Sequence, residues 1–140
     1  MRWMLIFVLG TLALASDLAG VKAEPNLEKR SDRALENANS ALDAARDAYT
    51  RGEYDQSQTQ LDEVGASVDL AYESLRQTGK DPRHSGKFKQ AEMRLRELLR
   101  RLEGMRQMVS FTDRAAVDKL RDHVSDIHDN LLDGVMGRRK

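Results

Sequence analysis

The sequence predicts an all-α protein, an antiparallel four-helix bundle, with two stacked helical hairpins as the alternative packing. Only two prolines, Pro25 and Pro82, interrupt the 140 residues. Apolar residues between and after them recur at steps of three and four rather than alternating as in strands. Aromatic residues make up 5% of the chain and charged residues 33%, so the core has to come from Leu, Val, Ala and Met. That composition suits helices packed side by side.

The first element in order is a leader. Met1-Arg2-Trp3 is a short positive start, and Met4 to Ala15 is an apolar run too short to span a bilayer as a helix. Small residues at −3 and −1 place cleavage after Ala23, within Val21-Lys22-Ala23; Ala13 and Ala15 also fit but leave a shorter leader. An uncleaved membrane anchor is the alternative. Residues 1–23 therefore read as a signal peptide, and the protein is expected to be exported, periplasmic or secreted. No cysteine occurs, which removes disulfides, thiolate metal sites and a lipid-modified cysteine. Removing residues 1–23 takes Arg2, Lys22 and Asp17 from 23 basic and 23 acidic side chains, leaving 21 and 22 in 117 residues. A near-neutral chain of that length forms one small domain, residues 24–137, with a basic tail at 138–140.

Four helices follow. The first, about 27–51, carries Leu27, Ala34, Ala38, Ala41, Ala45 and Ala48 on one face, where small residues let a neighbouring helix come close. Gly52 ends it, since a left-handed cap is resisted by any side chain with a Cβ. The second, about 53–77, places Tyr54, Ser57, Leu61, Val64, Val68, Ala71 and Leu75 at heptad spacing. A polar loop, Thr78 to Lys87, separates the halves. The third, about 87–109, repeats the seam with Phe88, Ala91, Leu95, Leu98, Leu102, Met105 and Val109. Ser110 then reads as an N-cap with Asp113 completing a capping box, and Thr112 as the competing cap. The fourth, about 112–135, turns Val117, Leu120, Val124, Ile127 and Leu131 inward until Gly134 and Gly137 end it.

Two resemblances can be placed on specific residues. Ala41 to Val64, through Ala45, Ala48, Tyr49, Gly52, Tyr54, Ser57 and Leu61, resembles one tetratricopeptide repeat, with no second copy 34 residues on. The stretches "SLRQTGKDPR", "FKQAEMRLRELLRRLEGMR", "SFTDR" and "IHDNLLDGVMGRRK" resemble small, uncharacterised exported bacterial helical proteins. This second resemblance implies export and an all-helical fold; it brings no activity, ligand or catalytic residue.

Basic residues outnumber acidic ones between Phe88 and Arg106. Glu92 with Arg96, Glu97 with Arg101 and Arg100 with Glu103 stand at spacings where opposite charges meet on a helix. Lys80, Arg83, Lys87, Lys89, Arg94 and Arg106 are left unmatched and form a candidate interaction surface for an anionic envelope polymer. Nucleic acid is disfavoured, because export carries the chain away from it and no aromatic residues interleave to stack on bases. Tyr49, Tyr54 and Tyr72 form a candidate aromatic cluster, with core packing as the plainer reading.

Asp122, Asp126, Asp129 and Asp133 share one helix face, but an outward face cannot wrap a calcium ion. His123 and His128 stand five apart, about 140° around the helix, and neither they nor His84 have a third ligand placed to make a zinc site. No nucleophile elbow or glycine-rich phosphate loop occurs, and no cofactor is implied. The function expected is non-enzymatic: protein–protein interaction or self-association along the heptad seams. Polymer binding through the basic residues is the alternative, and an enzyme with an unrecognised site the third.

Overall fold

The computed structural model describes residues 17–137. The apolar run Met4 to Ala15 and the tail 138–140 lie outside them. Among the described residues there are five α-helices and no strand: α1 (Leu18–Lys22), α2 (Leu27–Thr50), α3 (Tyr54–Gln77), α4 (Gly86–Met108) and α5 (Arg114–Val135). Two short 3₁₀ turns, Pro82–His84 and Phe111–Asp113, precede α4 and α5. No described helix is long and apolar enough to cross a membrane.

Local chemistry sets most of the boundaries. Asn26 caps α2 by accepting from the Lys29 amide at 3.0 Å. At its other end Gly52 takes φ 78°, the left-handed conformation that lets α3 fold back. The expected capping box at Ser110 does not form. Its hydroxyl donates to Asp113 Oδ2 at 2.8 Å, and the 3₁₀ turn moves the start of α5 to Arg114. Thr112 caps nothing either; it lies within that turn. Gly134 sits inside α5 against Pro82, where an added Cβ would come 3.2 Å from the proline Cβ, so the helix is broken by Gly137 at φ 71° instead.

The hairpin α2–α3 is closely packed because its interface is small. Ala34, Ala38, Ala41, Ala45 and Ala48 have no exposed surface at all. With backbones this near, short polar side chains reach across. Ser31 Oγ donates to the Ala71 carbonyl at 3.0 Å, Ser57 Oγ to that of Ala45 at 2.8 Å, and Asn37 Nδ2 to Ser67 Oγ at 2.8 Å. Buried polar groups are tolerated when each finds a partner. The hairpin α4–α5 is bulkier, its core made by Phe88, Leu95, Leu98, Leu102 and Met105 against Val117, Leu120, Val124, Ile127 and Leu131.

Neighbour contacts run from α2 to α3, α3 to α5, α5 to α4 and α4 to α2. Lys87 reaches Asp32 at 2.6 Å, while Arg101, further along α4, reaches Asn39 at 2.7 Å and also Asp43. Both helices therefore advance in the same direction, and α2 and α4 are parallel neighbours. All the predicted seam residues of α3, α4 and α5 are buried in this core except Tyr54, which is 59% exposed because it opens α3 beyond the packed length. The heptad seams of α3, α4 and α5 thus pack against one another within the chain.

The helix α1 falls on residues read as the end of the leader. Asp17 caps it, accepting from the Gly20 amide at 2.9 Å, and Val21, 4% exposed, joins the core between α1 and α2. Full burial of a valine is worth about 2 kcal/mol. A chain beginning at Glu24 is therefore expected to keep its helical circular dichroism but to melt several degrees lower than one beginning at Asp17. Equal melting temperatures would show that α1 adds nothing to the bundle.

Candidate functional site

One end of the bundle brings Tyr49 and Tyr54 together. Tyr49 lies in the last turn of α2 and Tyr54 in the first turn of α3, so the Gly52 reversal brings their rings to 5.1 Å between centroids at an angle of 57°. The tilted arrangement is a favoured aromatic geometry. Tyr49 Oη donates to Asp113 Oδ2 at 2.8 Å and accepts from the Ser110 amide at 2.8 Å. One hydroxyl thereby ties the α2–α3 turn to the α4–α5 turn. Tyr49, Tyr54, Leu61, Met105, Val109 and Thr112 line a cleft between them. In the α4–α5 connection Phe111 opens the 3₁₀ turn and is 84% exposed, with Met108, the last residue of α4, at 39%.

Tyr72 does not join this cluster. It lies near the opposite end of α3, stacked by the Arg76 guanidinium at 5.7 Å, in a cleft with Pro82, Phe88 and Leu131. The reason is distance, since the 18 residues from Tyr54 to Tyr72 span about 27 Å of helix. Phe111 and Met108 were missed by the sequence reasoning. Their signal was that both fall off the Leu102, Met105, Val109 seam and next to a helix break.

The basic residues read as unmatched are for the most part matched. Lys80 pairs with Glu28, Arg83 with Asp81 at 2.9 Å, Lys87 with Asp32 at 2.6 Å and Arg106 with Asp118 at 2.6 Å. Arg94 donates to the Asp32 carbonyl at 3.4 Å, and Lys89 is exposed on α4. Most of these partners lie on other helices, which is why spacing along one helix could not show them. Within α4 the pairing also differs from that expected: Arg100 takes Glu97, while Arg101 leaves its helix for Asp43. The Arg83 side chain and amide both hydrogen-bond Asp81, holding that exposed carboxyl down at about 2.

A buried polar group joins α4 to α5. Glu92, read as a surface partner of Arg96, is 5% exposed, and its Oε1 accepts from Arg96 and lies 2.9 Å from His128 Nε2. His128 Nδ1 stands 3.6 Å from Asp129. His128 is thus a partly buried bridge between α5 and α4, whereas the more exposed His123 lies 2.6 Å from Asp69 of α3. Burial pushes the Glu92 carboxyl up, but hydrogen bonds from Arg96 and His128 outweigh it and leave the group below its ordinary value. A sequence signal existed: Glu92 and His128 each follow a seam residue, Ala91 and Ile127, on the flank where antiparallel helices meet.

The remaining candidates are dispersed. Asp122 and Asp126 are exposed on the outer side of α5, Asp122 pairs with Arg121 at 3.2 Å, and Asp133 lies on the same face. His84 sits in the 3₁₀ turn 3.9 Å from Asp81. Among the described residues no group of three or more histidines and carboxylates is placed to hold a metal ion. The chain matches no protein-family model, no curated protein and no solved structure.

Proposed function

We propose that this chain is an exported, non-enzymatic helical protein that acts by binding another protein through the aromatic end of its bundle. One observation carries the reading: exposed Tyr54 follows the α2–α3 turn, exposed Met108 and Phe111 flank the α4–α5 turn, and the Tyr49 hydroxyl ties those two turns together. Aromatic and methionine side chains on a rigid support are the usual anchors of protein interfaces. The ion pairs that answer most of the basic residues leave polymer attachment with little free charge to work with.

Replacing Phe111 with a photo-crosslinking phenylalanine analogue in intact cells tests this. The expected result is one recurrent protein adduct, lost when Tyr54→Ser is added, with the melting temperature of the purified variant unchanged. Adducts that are absent, or that persist undiminished with Tyr54→Ser, would overturn the proposal.

A further inference from the structure

The outer face of the α4–α5 hairpin carries opposite charges on its two halves. On α4, Lys89, Met93, Arg96 and Arg100 project away from the core, Met93 being 63% exposed. On α5, Asp122, Asp126 and Asp129 do the same. The side chains that face the neighbouring helices are others: Lys87, Arg94 and Arg101 toward α2, Glu92 and Arg106 toward α5, His123 toward α3. The charged stripes therefore lie side by side on a surface that nothing in the chain covers.

Their register makes this surface complementary to itself. Glu92 meets His128 and Arg106 meets Asp118 across the hairpin, so Arg96 stands level with Asp126 and Arg100 with Asp122. A two-fold axis running along the groove between α4 and α5 leaves every residue at its own level and lays each α4 against the other molecule's α5. Arg96 then opposes the partner's Asp126, and Arg100 the partner's Asp122, each contact occurring twice, with both Met93 side chains covered. Arg96 and Arg100 already hold Glu92 and Glu97, and Asp122 is held by Arg121, but a guanidinium has five donors and a carboxylate several acceptor sites, so each can serve a second partner. The face is about 34 Å long and roughly 20 Å across, close to the ~800 Å² per partner of a stable interface.

We infer that the chain forms an isologous dimer with a second copy of itself through the outer face of α4 and α5, basic stripe against acidic stripe. This surface is separate from the aromatic end, and its occupant does not depend on any partner bound there. Sedimentation velocity of the purified protein is expected to show a dimer at low ionic strength that weakens as salt rises, since the pairs are exposed.

Two variants make the test decisive. Arg100→Glu places an acid opposite the partner's Asp122, and Asp122→Lys places a base opposite the partner's Arg100. Arg96 is left in place because it holds the buried Glu92. Each variant alone should keep the wild-type circular dichroism and dimerise roughly tenfold or more weakly, a loss of about 1.4 kcal/mol or greater. Mixed in equal amounts, the two should restore a heterodimer. A wild-type protein that is monomeric at low salt, variants that dimerise as wild type does, or a mixture that stays monomeric would each overturn the inference.

Discussion

Leu98→Asp is expected to unfold the domain. Leu98 is 1% exposed and lies near the middle of α4, packed into the common core of both hairpins. Removing the side chain alone costs about 3 kcal/mol, and desolvating a carboxylate there adds several more. Their sum approaches the whole stability of a small domain, ~5–15 kcal/mol. Far-ultraviolet circular dichroism of the variant should show the helical signal largely lost at room temperature. Gln90→Asp, a substitution to the same residue at an exposed position of the same helix, should change the melting temperature little. If Leu98→Asp melts like wild type, the assigned core of α4 is wrong.

Glu92→Ala is expected to be the most damaging change at a polar residue, lowering stability by about 3 kcal/mol. It removes the acceptor that both Arg96 and His128 use and leaves the half-buried imidazole without its partner on α4. The same interactions set a pH dependence whose sign follows from the direction of the shift. The folded carboxyl titrates below its ordinary value of 4.5, so the stabilisation is complete above that value and is lost as the pH falls through the folded one. The stability gap between wild type and Glu92→Gln should therefore narrow in acid. A gap that widened on acidification, measured by urea unfolding across that range, would contradict the arrangement.

How much could be read in advance depended on whether the signal was local. The seam of α4, Phe88 through Val109, was legible because burial of one helix face imposes spacings of three and four on neighbours along the chain. Gly52 was legible for a similar reason, since the left-handed turn it makes is a property of one residue. The partners of the cations were not. Lys87 finds Asp32 and Arg101 finds Asp43, more than fifty residues away, and no spacing rule along a helix connects them. Glu92 shows the same limit, since its pairing with Arg96 was visible but its burial depended on where α5 would place His128.

The sequence by itself determined that the fold is all-α, which faces of α3, α4 and α5 turn inward and where the chain reverses, because each of these follows from periodicity and backbone preference within a short window. Only the tertiary structure decided that α4 lies beside α2, that Tyr72 is remote from Tyr49 and Tyr54, and that opposite charges on α4 and α5 share one outer face. Apolar seams of Leu, Val and Ala are close to interchangeable as packing surfaces. Which helices become neighbours, and at what level, is settled by side-chain volumes and cross-helix partners that come together only on folding.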